Sequence, residues 1–463
     1  MDTPIRTRQQ LYDLIRETSK EEFIMTEMIR LGFWQEEEGK PSVPKQLMEQ
    51  ERKLHKELNE LLKKKKLFSD QERLLKEMRQ KRMAEAKAKR EETKKKREED
   101  RIARAKAWAK KKENDIVYLG DGFSGGLNDK TTDEITLKQN DLPQLADIKA
   151  LAEAMEITVG QLRFLTFTRK TSKISHYVRF ELPKKTGGVR VISAPMPFLK
   201  NAQYWILFNI LYKITAHNLA HGFVPDRSIK TNAAPHVGQD VVINMDLKDF
   251  FPTLNYKRVK GMFKSLGYSQ QMATVFGLLC TEPDVDKVEL DTETYFVAKG
   301  DRFLPQGAPT SPMITNIICQ KMDKRLEGMA KKFGFVYTRY ADDLTFSTSG
   351  ETAQNVGKLL WSVGQIVKDE GFVLHPKKTK VMRNGSKKEV TGIVVNEKMN
   401  TDRKTLRKFR ALLHQIETTG IQGKKWGNGN IRNTIRGYAN YVNQVNPEKG
   451  KVYIERVAKI LGK

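Results

Sequence analysis

The chain has 463 residues, of which 84 are Lys or Arg and 57 are Asp or Glu, so its formal net charge is +27. This length predicts two or three folded units, and the excess of basic residues favours a polyanionic partner. Two cysteines are too few for a disulfide scaffold or a zinc ribbon and are typical of a reducing compartment. The first residues lack the apolar segment of a signal peptide, and no apolar stretch is long enough to span a bilayer, so we expect neither secretion nor a membrane partner.

The first part of the chain predicts a basic helical extension over residues 1–115. No Gly or Pro occurs at positions 45–119, and residues 51–110 hold 23 Lys and Arg against 12 Asp and Glu, which is typical of long helices. Ser69 followed by Glu72 predicts a break between two helices. The charge bias favours a binding partner over a helix that is merely solvated, which is the alternative. Apolar residues recur every seven positions and predict packing on one side only: Leu47, Leu54, Leu61, Phe68 and Leu75.

A glycine-rich segment over residues 116–141 predicts a linker. A second unit begins near residue 142, and its first part predicts an amphipathic helix over 148–167. A β-hairpin is predicted next, from strands at 177–182 and 189–192 around a Lys-Lys-Thr-Gly-Gly turn. Helices mixed with antiparallel strands indicate an α+β fold. The strongest strand patterns come later, at 241–246, 335–340 and 344–348.

Three carboxylates lie at the ends of predicted strands. Asp246 closes the strand at 241–246, and Asp342 and Asp343 occupy the turn between the last two predicted strands. Adjacent carboxylates in a tight turn repel each other unless a cation neutralises them. Oxygen ligands on neighbouring elements are what Mg²⁺ needs for two-metal phosphoryl transfer, which is the chemistry that the pattern favours. The alternative is that Asp246 only forms a turn or caps a helix.

Basic residues at the Gly-Gly hairpin are candidates for holding a triphosphate. Lys184 and Lys185 supply point charges, and Arg190 supplies a bidentate donor. The alternative is an exposed basic turn without a ligand. Further along, LPQGAPTSP predicts a proline-rich loop that leads into a helix over residues 313–329.

Five motifs in a fixed order resemble the fingers and palm of reverse transcriptases. They are KKTGGVRVI, MDLKDFF, LPQGAPTSP, YADD and LHPKKT, and together they cover about residues 142–400. Two further segments resemble the NAxxH and VTG elements of bacterial retron reverse transcriptases. The first contains Asn232 and His236, and the second is Val390, Thr391 and Gly392. Without this resemblance, a capping or core histidine is the favoured interpretation of His236.

The resemblance implies an α+β right-hand polymerase that follows the basic all-α extension. Fingers and palm would cover residues 142–396, and a thumb would cover 397–463. Asp246 and Asp342 would be the main ligands of two Mg²⁺ ions, with Asp343 as the third acid.

The same resemblance implies a set of residues around the incoming dNTP. Phe251 would exclude a ribose 2′-OH by a steric clash, and Gln306 with Gly307 would lie along the nascent base pair. Lys377 or Lys378 would protonate the leaving pyrophosphate. The remaining implied roles are triphosphate binding, by Lys184, Lys185 and Arg190, and handling of the RNA or its primer, by Asn232, His236, Val390, Thr391 and Gly392.

The activity implied is that of an RNA-directed DNA polymerase in the bacterial cytoplasm. A retron enzyme would use dNTPs to copy part of its cognate structured noncoding RNA, starting at the 2′-OH of an internal guanosine and leaving a branched RNA–DNA molecule (msDNA). The resemblance also implies anti-phage defence together with an effector protein. Two alternatives are a bacterial reverse transcriptase of group II intron type and a non-catalytic RNA-binding scaffold with a polymerase fold.

Overall fold

The computed structural model describes residues 7–17, 20–34, 43–183 and 187–462. These residues form two compact units, which divide between Ala107 and Trp108. Lys184 and Lys185, predicted to bind a triphosphate, lie outside the described residues. Within the described ranges, no helix combines the length and the apolar character that a bilayer span requires.

The first unit is helical, as its composition predicts. Its helices are α1 (Arg8–Glu17), α2 (Lys20–Arg30), α3 (Val43–Ser69) and α4 (Gln71–Asn114), the last of which continues into the second unit. The expected one-sided packing is wrong, because the heptad residues stay exposed, Leu47 by 59% and Leu54 by 63%. The break at Ser69 is confirmed, but Asp70 forms the cap: its Oδ1 accepts a hydrogen bond from the Arg73 amide at 3.2 Å.

Residues 116–141 are packed structure and not the predicted linker. Glycines in this segment turn the chain against a buried surface: Gly120 has a φ of +109°, and a Cβ atom there would lie 2.2 Å from the Thr168 carbonyl oxygen. A short helix, α5 (Glu134–Gln139), follows the turns. Four side chains of the segment lie in the main core, each at most 4% exposed: Ile116, Leu119, Leu127 and Leu137.

The helix predicted over 148–167 is split in two. Thr158 caps the second part in a capping box with Gln161, so a new helix starts there. The predicted hairpin is confirmed, since two strands of seven residues pair antiparallel on either side of the Gly-Gly turn. The elements of this region are α6 (Ile148–Ala154), α7 (Val159–Thr166), β1 (Thr171–Ser172), β2 (Tyr177–Pro183), β3 (Val189–Pro195) and α8 (Pro197–Asn209).

The middle of the second unit alternates strands and helices. In chain order they are α9 (Ile229–Ala233), β4 (Val241–Asp246), α10 (Tyr256–Ser265), α11 (Gln270–Cys280), β5 (Glu282–Leu290), β6 (Glu293–Phe303), α12 (Ser311–Ile318), α13 (Gln320–Phe333), β7 (Val336–Tyr340), β8 (Asp343–Thr348), α14 (Val356–Asp369) and β9 (Lys380–Met382). The strands β7, β8, β4 and β9 form, in this order, an antiparallel sheet. The three strands predicted here are thereby confirmed to within one residue.

A second sheet was not predicted from the sequence. Strands β5 and β6 form a long hairpin, and β1 pairs with the outer edge of β6. Charged residues along β5, whose sequence is EPDVDKVEL, obscure the apolar alternation that marks a half-buried strand. Because β6 ends at Phe303, this sheet leads directly into the loop that contains Gln306 and Gly307.

The last part of the chain consists of two short strands and three helices, and the helices have a small hydrophobic core of their own. Its elements are β10 (Glu389–Val390), β11 (Ile393–Val394), α15 (Arg403–Thr419), α16 (Ile431–Val445) and α17 (Pro447–Leu461). The apolar seam expected in α15 is confirmed, because Phe409 and Leu413 are fully buried against residues such as Ile435 of α16. The basic residues of α15 remain exposed: Arg403, Lys404, Arg407, Lys408 and Arg410.

Candidate active site

The three predicted carboxylates meet at one end of the central sheet. Asp246 is the last residue of β4 and pairs in register with Asp343, the first residue of β8. Since Tyr340 pairs with Asp343 across the hairpin, Ala341 and Asp342 form a two-residue turn. Tight turns of this length usually contain glycine, because they need positive φ angles. Here Ala341 adopts a φ of +54°, so a strained turn carries Asp342.

The charged forms of Asp342 and Asp343 are destabilised by their surroundings. Burial raises the pKa of Asp342, and the nearby Asp246 raises it further, while Lys378 and Arg190 act in the opposite direction. Burial, followed by the charges of Asp342 and Asp246, raises the pKa of Asp343 to about 7. Such mutual repulsion in a partly buried site favours the binding of a cation.

One ammonium group partly neutralises the negative charge of these carboxylates. Lys378 Nζ donates to both oxygens of Asp246, at 2.9 and 3.0 Å. In the described part of the chain, no three His, Cys, Asp or Glu side chains are already grouped to hold a metal ion. The donor set nevertheless fits a hard divalent cation, since it consists of carboxylate oxygens that repel one another. The sequence left Lys377 and Lys378 as alternatives, and the structure brings Lys378 to the carboxylates.

A buried hydrogen-bond network, which the sequence did not predict, supports the turn that contains Ala341. Arg339 precedes the YADD motif by one residue and donates to the Ala341 carbonyl at 3.1 Å. Its guanidinium also binds Asp323 of α13 at 2.7 and 2.8 Å and Asn316 Oδ1 at 3.0 Å. Asn316 in turn donates to the Gly222 carbonyl at 2.8 Å. The sequence does not show that Arg339 supports the turn, because its buried partner Asp323 cannot be identified from the sequence alone.

Two of the residues expected around a nucleotide, Phe251 and Arg190, lie close to this end of the sheet. Phe251 follows β4 and is packed against the main core, with its ring centroid 5.6 Å from that of Phe250. Arg190 of β3 is near enough to lower the pKa of Asp342. The backbone of Gln306 accepts a hydrogen bond from the Ser193 amide at 2.8 Å, which attaches the proline-rich loop to β3.

Gly307 is required by its immediate surroundings. Its φ is +129°, and a Cβ atom there would lie 2.9 Å from Ile192 Cγ2 and from the Ser193 carbonyl oxygen. The family resemblance implies that this glycine lies along the nascent base pair, whereas the contact that the structure contains is with β3. Any larger residue would push the loop away from the β2–β3 hairpin.

The NAxxH and VTG elements pack against each other behind the central sheet. Asn232 Nδ2 donates to Thr391 Oγ1 at 3.4 Å, and the Val390 side chain is fully buried in a cluster with Val242. The ring of His236 is also fully buried. Its two nitrogens lie 2.6 Å from Ser347 Oγ and 2.8 Å from a hydroxyl of β7.

This burial corrects part of the expected role. The side chains of Asn232, His236 and Val390 have no exposed surface, so they cannot grip RNA directly in this conformation. Only Gly392 is exposed and Thr391 half-buried, and the Gly392 carbonyl accepts a hydrogen bond from the Tyr441 hydroxyl of α16 at 3.2 Å. The two elements therefore connect the central sheet to the C-terminal helices.

Comparison with known proteins agrees with this arrangement. The family described as Reverse transcriptase (RNA-dependent DNA polymerase) matches residues 182–412. The Retron Mx162 reverse transcriptase of Myxococcus xanthus is 40% identical over 337 residues, which cover 70% of this chain and 69% of that protein. The chain belongs to the retron reverse transcriptases. The Retron Ec86 reverse transcriptase of Escherichia coli is 33% identical over 71% of this chain and 94% of its own length.

This membership confirms the predicted family, the reverse transcriptase fold and the activity of an RNA-directed DNA polymerase. Reverse transcriptases generally use divalent metal ions. Among solved structures, telomerase from Candida albicans in complex with a fragment of telomeric RNA aligns with 62% of this chain and 61% of its own, at 12% identity and a TM-score of 0.38. A foamy viral protease-reverse transcriptase bound to double-stranded DNA aligns at 13% identity, 63% and 45% coverage and a TM-score of 0.35.

Proposed function

We propose that this polymerase uses dNTPs to copy part of a structured noncoding RNA into msDNA, a branched RNA–DNA molecule primed from an internal 2′-OH. Its setting is the cytoplasm of a bacterium, where the product serves anti-phage defence with an effector protein. The polymerase chemistry is supported by one observation: Asp246, Asp342 and Asp343 lie together, beside Lys378 and Arg190. The retron part is supported by the relatives and by the packed NAxxH and VTG elements.

The carboxylates are proposed to hold two Mg²⁺ ions. When bound, these ions lower the pKa of the attacking hydroxyl and stabilise the leaving pyrophosphate. Asp246 and Asp342 provide oxygens from two adjacent elements, and Asp343 is the third acid. Lys378, whose ammonium lies against Asp246, would protonate the leaving group. Its present contact with Asp246 keeps this ammonium at the site.

The nucleotide is proposed to lie between the fingers hairpin and the central sheet. Arg190, with Lys184 and Lys185, binds the triphosphate by charge-assisted hydrogen bonds. Phe251 excludes a 2′-OH by occupying the space beside C2′. Gln306 and Gly307 lie along the nascent base pair, in a loop that β3 holds through the Ser193 amide.

Priming from an internal 2′-OH needs the folded RNA to be held with one hydroxyl at the site, a positioning requirement beyond the chemistry itself. We assign the direct grip to the thumb, residues 397–463, whose helix α15 exposes a basic face. Gly392 couples this region to the palm through the Tyr441 hydroxyl, and the neighbouring Thr391 accepts a hydrogen bond from Asn232. The basic helices of residues 1–115 are proposed to bind the RNA, its product or the effector.

The decisive experiment expresses the protein together with its flanking DNA and analyses the copurifying nucleic acid on a denaturing gel. A band that shifts after debranching and after RNase treatment is the expected result, and the Asp342→Asn variant should lack it. Primer extension without any branched product would favour an enzyme of group II intron type. Absence of Mg²⁺-dependent dNTP incorporation on an annealed primer would favour a non-catalytic scaffold.

A further inference from the structure

A cavity of about 540 Å³ lies beside the β2–β3 hairpin, within the second unit. This volume is in the range of about 300–1,000 Å³ that is usual for small-ligand sites. The end of α4, helix α7 and strands β1, β2 and β6 all contribute to its walls. None of the residues assigned to the active site lines it, so it is not explained by the polymerase reaction as described above.

The β2–β3 hairpin separates this cavity from the loop that contains Gln306 and Gly307. Side chains on a strand alternate between its two faces, and Tyr177 and Arg179 of β2 line the cavity. Phe180 therefore points to the other face, where it pairs with Ile192 of β3. Ile192 is the residue that approaches Gly307 of the proline-rich loop. The cavity and the active site thus lie on opposite faces of the same two strands.

Aromatic rings form much of the cavity's surface, and several of them are open to solvent. Trp108 is 45% exposed, Tyr118 49% and Phe164 50%, although aromatic residues normally bury such area. Phe167 lies next to them, with its ring centroid 5.9 Å from that of Tyr118. Exposed rings in a concave site provide stacking platforms for a planar ligand.

The charges around these rings are almost all positive. The lining contains five basic residues and one acid, Asp115, and that acid already pairs with Lys130 at 2.7 Å. Among the described ion pairs, none involves the basic groups nearest to the rings. Those groups are Lys112, whose ammonium lies 5.5 Å from the Trp108 ring, Arg169, which lies over Phe167 at 4.9 Å, and Arg163.

We propose that this cavity binds one unpaired nucleotide, with its base stacked on Phe164 and its neighbours and its phosphate held by Arg163, Arg169 or Lys112. A purely apolar ligand would leave these cations without a partner. A duplex presents its phosphates but not the faces of its bases, so it would leave the rings unused. An unpaired nucleotide uses both features, as single strands do on other stacking surfaces.

The test uses the full-length protein and a short single-stranded RNA that carries 2-aminopurine, whose fluorescence falls when the base stacks. Wild-type protein should quench the probe. Phe164→Ala combined with Arg163→Gln should weaken the affinity for the probe, measured by quenching, by about 5- to 150-fold, which corresponds to the loss of one stacked base. A matched control is Trp361→Ala combined with Lys358→Gln, which removes a ring and a cation from the exposed face of α14. The control should bind as the wild type does.

A second arm identifies where the nucleotide comes from. The same titrations are repeated with 2-aminopurine ribonucleoside 5′-monophosphate. Binding of both probes with the same dependence on Phe164 points to a free nucleotide, whereas binding of the oligonucleotide alone points to a strand; either outcome supports the proposal.

Thermal unfolding checks that the variants are folded. If the double variant unfolds, the single Arg169→Gln change, at an exposed position, replaces it. Equal affinity of wild type and cavity variants, or no quenching by wild type, would overturn the proposal.

Discussion

Arg339 joins the turn of the YADD motif to helix α13 through a single guanidinium. Its Nη1 donates to the Ala341 carbonyl at 3.1 Å, while Nε and Nη2 bind the two oxygens of Asp323. Neither member of this ion pair has any exposed side-chain surface. Because the positive φ of Ala341 is costly for a residue with a Cβ atom, the turn depends on such fixed neighbours to keep Asp342 in place.

We predict that Asp323→Asn destabilises the protein by about 3–5 kcal/mol, since it leaves the Arg339 charge buried without a counter-charge. Chemical denaturation measures this loss. Arg325→Lys is a matched control, because its ion pairs with Asp369 and Glu370 lie at a partly exposed position and should change stability by no more than about 1 kcal/mol. Similar losses for both variants would contradict a special role of the buried pair.

Conservative replacement of Arg339 itself should act on catalysis. Arg339→Lys keeps the charge but cannot reach Asp323 and Ala341 together, because the planar fork is lost. We expect a fall in kcat of about 10- to 100-fold with the KM for dNTP little changed, since Arg339 is not among the residues proposed to bind the triphosphate. Steady-state primer extension separates the two constants. A rise in KM alone would show that the network serves nucleotide binding.

Asp342→Asn is predicted to abolish DNA synthesis without loss of RNA binding. The change removes a charged oxygen that is proposed to bind Mg²⁺ and adds no bulk. Several kcal/mol of charge stabilisation correspond to about a thousand-fold or more in rate. Primer extension at varied Mg²⁺ concentration and RNA titration measure the two effects. Asp301→Asn, at an exposed position of β6, is the control and should behave as the wild type does. Near-normal extension by Asp342→Asn would remove this carboxylate from the metal site.

Phe251→Ala is predicted to admit ribonucleotides, because it opens the space proposed to lie beside C2′. Single-nucleotide extension with dNTP and rNTP measures the selectivity. The adjacent Phe250 is only 4% exposed and packs against Phe372. Phe250→Ala should therefore cost about 3–5 kcal/mol of stability and leave the selectivity of the folded fraction unchanged. If Phe250→Ala alone relaxes selectivity, the gate has been assigned to the wrong ring.

His236 should make folding stability depend on pH. Burial lowers its pKa to about 3, below the usual value of 6.5 of an unfolded chain, so between these values only the unfolded state binds the proton. Stability is thus fully present above pH 6.5 and falls as the pH drops toward 3, by up to about 1.4 kcal/mol per pH unit. His236→Gln should reduce this slope in denaturation curves collected across the window. An identical slope in the variant would show that other groups cause the acid sensitivity.

The paired aspartates and the buried histidine show which features the sequence could predict. Asp246 and Asp343 lie at the ends of apolar strands, and strand periodicity is local, so their meeting could be expected. The buried ring of His236 depends on partners that lie 111 and 102 positions away in the chain. The buried guanidinium of Arg339 depends on a partner 16 positions away. A single sequence does not reveal these pairings. The burial of Leu119 could not be predicted for another reason, because glycines such as those beside it are typical both of linkers and of tight buried turns.

Removal of residues 1–107 is predicted to spare primer extension, because the core of the second unit begins with Ile116 and Leu119. The deletion removes the basic helices proposed to bind RNA or an effector. Affinity for the cognate RNA should fall, and the slope of log K against log salt should decrease by about 0.7–0.9 for each lost phosphate contact. A longer deletion, of residues 1–128, is the control: it removes Ile116, Leu119 and Leu127 from the core and should unfold the enzyme. Unchanged RNA affinity and salt slope after the shorter deletion would assign these helices to a protein partner.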